Sequence, residues 1–401
     1  MMCDIVIACA RPLAWFRGRT AVRIALATSS YAPYVGGVEE HVRNVARELS
    51  ARGHDVVVWT VARDGRAASR EYEDIDVRDL PTPLPARNAR SLLHFALRAP
   101  AAWLRWRRAW RSFHPDIIHV HCFGPNGTYA RILARRTGTP LIVTSHGETL
   151  ADDNGLFHDS RLARESLTAA LREAVAVTGC SQVVLDDLND RFALPPGQGV
   201  IVPNGIDLDE PIGAAPTTGR YIAAVGRLQK MKGFDLLIQG FAEAACAPDV
   251  HLVIGGDGPE REALLAIAYE AGVADRVHLP GQLDRPQVAG LLSNALAVVV
   301  PSRFEAFGIA ALEAWRAGAA LIATTRGGPP EFVRDGRDGL LVDPADTSSL
   351  AAAIRSLVTD VATRSSLAGA GAERVRQFTW SNATDAYDAL YQRVTVDAPG
   401  R

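Results

Sequence analysis

The sequence predicts an α/β protein built on two parallel sheets, one after the other along the chain. Three observations carry that expectation. Short apolar runs recur between helical segments, the pattern of strand–helix–strand crossovers. The chain has 401 residues, long for a single core. The pattern breaks once, at Glu210 to Gly219, a stretch rich in Pro, Gly, Ala and Thr, and then restarts.

The first series opens with a buried strand at Val22–Ala27 and a helix from about Glu39 to Arg52. Between them lies Gly36-Gly37. Strand, glycine loop and helix is the plan by which backbone N–H groups approach a phosphate, although the pair alone also fits a plain turn. Further strands are expected at Val56–Thr60, Ile117–His121, Pro140–Thr144, Ala174–Thr178 and Val200–Val202. His121 and His146 each follow such a strand at its carboxyl end, where open α/β sheets bind ligands; each also fits a structural role.

Residues 91–113 are read as one helix with an apolar stripe of Leu92, Ala96, Ala99, Trp103, Trp106, Trp110 and Phe113. Arg98, Arg105, Arg107, Arg108 and Arg111 lie mainly off it. Two readings stand here. The helix packs on the sheet with a basic outer face, or it lies on a membrane with aromatics at the acyl chains and arginines at anionic headgroups.

The second series places strands at Tyr221–Val225, His251–Gly255, Val277–Leu279, Ala295–Val300, Ala320–Ala323 and Gly339–Val342. A last helix from Trp380 carries Tyr387, Leu390 and Tyr391 and is expected to cross back to the first unit. Within this series, Val300 to Trp315 runs from a strand through a Pro-Ser turn into a helix starting near Gly308. Glu305 precedes that helix and Glu313 lies inside it, about 12 Å apart at a helical rise of ~1.5 Å per residue. A glycosidase pair needs about 5 to 9.5 Å. The longer spacing suits the two ends of one extended polar ligand with helix N–H groups between them, as in a sugar nucleotide.

Composition narrows the class. A net charge of −2 argues against a general nucleic-acid binder. No stretch is apolar enough over ~18 residues to span a bilayer, and residues 1–20 lack a basic segment before their apolar run, so a cytoplasmic location is expected. Cys3, Cys9, Cys122, Cys180 and Cys246 form no metal-binding spacing and read as reduced thiols. Of 43 basic residues only two are lysines, Lys230 and Lys232, both inside Gly226–Gly233. Where arginine is otherwise universal, a surviving lysine points to a compact ammonium with a task. Asp74-Ile-Asp76 and Asp207-Leu-Asp209 are the spacing of metal-dependent sugar transferases, but neither follows a convincing buried strand, and no metal site is expected.

Gly-Arg-Leu-x₃-Lys-Gly (226–233), Pro-Asn-Gly-Ile-Asp (203–207), Gly-Asp-Gly-Pro (256–259), Glu-x₇-Glu (305–313) and Gly-Gly-x-x-Glu (327–331) resemble glycosyltransferase family 4, in its order and spacing. Gly36-Gly37 and Ser-His-Gly (145–147) fit as well, and the resemblance spans about residues 22–394. It implies the GT-B fold, two Rossmann-like domains facing a cleft. The expected layout is an extension at 1–21, an acceptor domain at 22–205, a donor domain at 206–379 and a returning helix at 380–395.

The resemblance also implies roles. Arg227 and Lys232 neutralise the departing diphosphate. Gly36 and Gly37 let the phosphates approach. Glu313 binds the ribose diol, while Glu305 and the amides of Phe307 and Gly308 hold donor-sugar hydroxyls. His146 lies against the sugar. The implied reaction is metal-free, retaining transfer of a hexose-type sugar from a UDP- or GDP-linked donor to a hydroxyl acceptor, carbohydrate, lipid-linked or small-molecule. Front-face attack with the leaving phosphate as base needs no enzymic nucleophile, and no cofactor is implied beyond the donor itself. A polysaccharide, glycolipid or cell-envelope product is expected; of the two readings of 91–113, the membrane one would add a peripheral contact on the inner face of the membrane, and the packed-helix one would not. The alternatives are a nucleotide-sugar-binding protein without transferase activity and a transferase acting on a soluble acceptor.

Overall fold

The computed structural model describes residues 21–34, 36–85, 89–150 and 155–396; the extension at 1–20 lies outside them. The first sheet contains β1 (Arg23–Thr28), β2 (Asp55–Val61), β3 (Ala68–Tyr72), β4 (Ile75–Leu80), β5 (Ile117–His121), β6 (Leu141–Ser145), β7 (Ala176–Gly179) and β8 (Gly199–Ile201). Their order is β3-β4-β2-β1-β5-β6-β7-β8, parallel except for β3 against β4. The central strands β5 and β6 are buried at every residue; β6 reads as a nearly unbroken run of apolar and β-branched residues, while β5 carries His119 and His121 among its apolar ones.

The second sheet contains β9 (Arg220–Val225), β10 (Val250–Gly255), β11 (Val277–Gly281), β12 (Ala297–Val300), β13 (Ala320–Thr324) and β14 (Leu340–Val342). Its order is β11-β10-β9-β12-β13-β14, all parallel. In both sheets the strand order reverses beside the first strand of the unit, at β1/β5 and at β9/β12. Ligands of doubly wound sheets bind outside the carboxyl ends at such a point.

All six strands expected in the second unit are present. In the first, the β3–β4 hairpin adds two that the sequence reading missed. Its residues are mostly charged, because β3 is an edge strand with one wet face. Asp74 belongs to its turn at φ +62°, and the Asp76 carboxylate accepts from Arg78 at 2.7 and 2.9 Å.

The helix Ala89–Phe113 corrects one of the two readings of its aromatic stripe. Trp106 is 1% exposed, edge-on to Trp59 at 5.8 Å and stacked on Tyr129 at 5.7 Å, with Nε1 donating to the Pro81 carbonyl. Trp103 and Trp110 pack against the same core. The tryptophans therefore face the sheet rather than acyl chains.

The chain crosses from the first sheet to the second through residues 202–219 and returns in the helix Trp380–Val396. Ala383, Tyr387, Leu390 and Tyr391 of that helix are buried in the core of the first sheet. Arg52 clamps it from outside, donating to Asp385 at 2.7 Å and to the Ser381 carbonyl at 2.9 Å.

Candidate active site

Beyond β9 the chain turns through Gly226–Gln229 into a single 3₁₀ turn, Lys230–Lys232, then enters the helix Phe234–Ala244. The two lysines diverge. Lys230 Nζ donates to Asp235 at 2.6 Å, and Arg303 donates to both oxygens of the same carboxylate at 2.7 Å. Burial opposes ionisation of Asp235, yet the bonds from Arg303 and Lys230 outweigh it and hold the carboxyl down to about 2. Lys230 is thus fixed in a structural knot. Lys232 Nζ instead reaches Glu305 Oε2 at 2.7 Å. Arg227 is exposed and forms no ion pair among the described residues.

Glu305 lies in the loop between β12 and the helix Ile309–Arg316. Ser302 Oγ donates to its carboxylate at 2.8 Å. Its backbone is tied to Gly327-Gly328 by Glu305 N–H donating to the Arg326 carbonyl and Gly328 N–H to the Glu305 carbonyl. Gly327 has φ +110°, and a Cβ there would stand 2.0 Å from the Glu305 carbonyl oxygen. Only glycine permits that approach. The glycine pair is the wall that fixes Glu305.

Phe307 is buried and stacks on Phe332 at 4.7 Å, while Gly308 precedes the helix at φ +101°. The amides of Phe307 and Gly308 donate to no described residue, so they remain open to a ligand. Glu313 lies within the helix. Burial pushes its carboxyl above the usual carboxylate range, against the pull of Arg316 and Arg285.

The first unit meets this loop directly. The helix Gly37–Ala51 begins against it, with the Cβ position of Gly37 at 3.8 Å from Ile309 Cδ1. Two helix N-termini therefore converge on one point of the cleft, which favours negative charge there. Gly36 is extended, and a Cβ on it would meet the Glu39 carboxylate at 2.4 Å. Gly147, at φ +89°, leaves only 2.4 Å between its Cβ position and Ala306 Cβ. His146 is thereby held beside the Glu305–Gly308 loop.

His146 belongs to a group of four imidazoles. Its Nε2 lies 3.2 Å from His121 Nδ1, and its ring centre is 4.6 Å from that of His41. His41 bonds Asn204 Oδ1 at 2.7 Å and the Tyr387 hydroxyl at 3.1 Å; His119 bonds the Tyr391 hydroxyl and Thr144 Oγ1, both at 2.6 Å. Burial holds His41 down to about 4 and His119 to about 3, and pushes His121 and His146 well below the ordinary imidazole value. These rings are neutral at pH 7. Glu148 braces their loop, accepting from the amides of Phe123 and His146 at 2.7 Å and from Ser145 Oγ at 3.0 Å.

Nitrogens of His41, His121 and His146 lie within 4.8 Å of one another, the one candidate metal set among the described residues. Both nitrogens of His41 already bond protein groups, and His121 and His146 bond each other. That pattern fits a hydrogen-bonded network better than a zinc set, whose nitrogens sit ~2.1 Å from the metal. The second Asp-x-Asp triplet is a local turn, Asp207 Oδ1 accepting from Asp209 N–H at 2.9 Å.

Several residues that shape the cleft carried no sequence signal. Arg285 pairs with both Glu40 of the first unit and Glu210, and Arg316 also pairs with Glu210. Glu331, quoted above only as a motif letter, accepts from the amides of Gln182 and Val183 at 2.7 and 3.0 Å, capping a helix of the other unit. Ser181 Oγ donates to the Ala306 carbonyl at 2.7 Å. Such partners are far apart in the chain, so no local pattern announces them.

Comparison with known proteins settles the family. Residues 35–210 match the model of "Glycosyltransferase Family 4" and residues 206–374 that of "Glycosyl transferases group 1". The D-inositol 3-phosphate glycosyltransferase of Acidothermus cellulolyticus is 30% identical over 407 residues, covering 90% of this chain and 87% of that protein. The chain belongs to glycosyltransferase family 4. It is a retaining glycosyltransferase that takes its sugar from a nucleotide-sugar donor. The glycosyltransferase is also 29% identical to the glycogen synthase of Mycobacterium tuberculosis strain H37Rv, over 92% of this chain and 94% of that one. Its fold matches sucrose-phosphate synthase from Thermosynechococcus elongatus with a TM-score of 0.78 at 24% identity, over 94% and 99% of the two chains. Anabaena HepE, solved with UDP and glucose, matches at 0.74 and 19% identity, over 92% and 100%. These likenesses identify the two-sheet architecture as GT-B.

Proposed function

We propose that the enzyme moves a hexose-type sugar from a UDP- or GDP-linked donor to a hydroxyl acceptor, with the second unit, residues 206–379, holding the donor and the first, residues 22–205, the acceptor. The observation that carries the reading is the Lys232–Glu305 contact, 2.7 Å between residues 73 apart in sequence. It joins a compact cation to a carboxylate beside two open amides and two converging helix N-termini. A donor would divide that pair. Its diphosphate takes Lys232 and Arg227, and its sugar hydroxyls take Glu305 and the amides of Phe307 and Gly308.

Charge develops on the diphosphate as the glycosidic bond breaks, so Lys232 and Arg227 act most strongly in the transition state. Gly36 and Gly37 present the start of their helix to the same phosphates. Glu313 accepts from the ribose diol at the far end. His146, kept neutral, touches the sugar without adding positive charge that would oppose an oxocarbenium-like centre. The acceptor proton passes to the leaving phosphate, and no step requires a metal. HepE's complex with UDP supports a UDP donor, and the relatives named for glycogen and for inositol phosphate support a polyhydroxylated acceptor. Products in polysaccharide, glycolipid or cell-envelope synthesis follow from that chemistry.

The test is incubation with UDP-glucose, UDP-galactose, GDP-mannose and ADP-glucose, reading free nucleotide and the shift in Tm. The matching donor should raise Tm, since selective binding to the native state stabilises it, and Lys232→Ala should abolish most of the nucleotide release. A donor that binds but is never split would leave a binding protein instead.

A further inference from the structure

The helix Ala89–Phe113 buries one face on the first sheet, yet it is apolar on the opposite face too. Ala102, Trp106 and Ala109 point inward and are buried. Leu93, Leu97 and Leu104, at helical spacings of 4 and 7, point the other way and are 60%, 70% and 62% exposed. At 3.6 residues per turn these three fall within about 40° of one another, directly opposite the buried face. Arg108 and Arg111 continue the same outward stripe, Arg107 flanks it, and Arg98 and Arg105 lie to one side between it and the buried face, all exposed. A surface helix packed on a core normally turns polar residues outward. Here the outward face carries three leucines followed by arginines.

The charge is one-sided. The helix has no Asp or Glu in its 25 residues. The basic stripe also borders a cleft of about 480 Å³ lined by Ser69, Arg78, Arg105, Arg108 and Ser112. Asp76, the one carboxylate lining that cleft on this flank, is paired with Arg78. Planar guanidiniums beside hydroxyl donors are suited to phosphate oxygens.

We infer that this face docks the enzyme on an anionic lipid bilayer, with Leu93, Leu97 and Leu104 entering the headgroup–acyl boundary and Arg105, Arg108 and Arg111 pairing with headgroup phosphates. A helix lying in the interface plane with leucines below and basic residues beside them has this composition. No helix among the described residues is long and apolar enough to cross a membrane, so the contact is superficial. A second copy of the chain is the poorer occupant. A two-fold contact through this helix would set its arginines against their own counterparts, and no carboxylate on the helix would answer them.

Topology gives the docking a consequence. β4 ends at the carboxyl edge of the sheet, the helix starts just beyond that edge and runs back, and β5 starts at the opposite edge. Leu93 and Leu97 therefore lie in the half of the helix nearer the cleft, and Leu104 just past its middle. A bilayer seated there brings the mouth of the acceptor side close to the lipid surface. The docking does not depend on the transferase reading, and its test reads no turnover.

The experiment is co-sedimentation of the full chain with vesicles of phosphatidylcholine alone or with about a third phosphatidylglycerol, at low and high salt. The wild type should bind the anionic vesicles at least tenfold more strongly than the neutral ones and be released by salt. Leu93→Ser/Leu97→Ser/Leu104→Ser and Arg108→Ser/Arg111→Ser should each lower binding about tenfold with Tm unchanged. Tyr269→Ser, at a side chain 79% exposed on the second unit, should leave it intact. No sedimentation with anionic vesicles at low salt overturns the inference, as does wild-type binding by the leucine variant. A wild-type dimer that the leucine variant splits, without vesicle binding, assigns the face to a second copy instead.

Discussion

The two walls of the cleft handle charge in opposite ways. The wall built on the second sheet pairs opposite charges, Lys232 with Glu305 and Lys230 and Arg303 with Asp235. The wall built on the first sheet gathers four imidazoles and keeps them neutral by burial. An ion pair that is part-exposed can be re-partnered by an incoming anion, because neither charge was fully desolvated to begin with. Buried imidazoles satisfied by Asn204, Tyr387, Tyr391 and Thr144 supply shape and hydrogen bonds without a net field. Under the function proposed above, the charged wall meets the diphosphate and the neutral one the sugar.

That contrast is most easily broken at Lys232. Lys232→Ala should lower kcat/KM by about 100-fold or more, on the scale of losing a partner to transition-state charge. Lys230→Ala removes a structural bond and should cost far less; steady-state kinetics on both variants decides between them. Equal effects would remove the distinction drawn here.

Glu313 comes next. Glu313→Ala should raise the donor KM about tenfold, the worth of roughly one to two hydrogen bonds in free energy. Glu313→Gln should stay much closer to wild type, because the amide keeps the side chain's shape and one acceptor oxygen for the ribose diol. A large loss in the Gln variant would mean that Glu313 works as an anion.

The histidine wall predicts a pH-dependent stability. His41 and His119 have folded values of about 4 and about 3, below the ordinary 6.5. Between those values the unfolded chain binds more protons, so stability is complete above about pH 6.5 and falls as the pH drops toward 4. Tm should decline by several degrees from pH 7 to pH 5, and His119→Gln should flatten that decline. A Tm that holds steady over this range would show that the rings are not kept neutral.

The smallest expected effect is that of chelation. Turnover should be unchanged in EDTA, since the proposed donor site meets the diphosphate with Arg227, Lys232 and helix N-termini. Loss of rate restored by Mn²⁺ would bring the histidine triad back into consideration as a metal set.

Much of this was legible in the chain. Apolar strand runs gave the second sheet in full, and the rarity of lysine singled out the segment of Lys232 before any coordinate did. The hairpin at β3 and β4 escaped because an edge strand with charged residues looks like a loop. The outward leucines escaped for another reason. A three-tryptophan stripe dominates the helical periodicity, and Leu93, Leu97 and Leu104 register only when the buried face is known. Glu40, Arg285 and Glu331 act across units, and a contact between residues far apart in sequence has no period to detect.

The returning helix has a consequence for how the chain is made. Tyr387 and Tyr391 bond His41 and His119 of the first unit, and Ala383 and Leu390 fill its core. A ribosome releases that unit long before it releases Trp380–Val396. During synthesis the first unit therefore waits with His41, His119 and an apolar floor uncovered, while the whole second unit emerges. Assembly of the nascent protein is completed from its far end, and a message broken shortly before Trp380 would yield a product whose first half remains open and prone to aggregate.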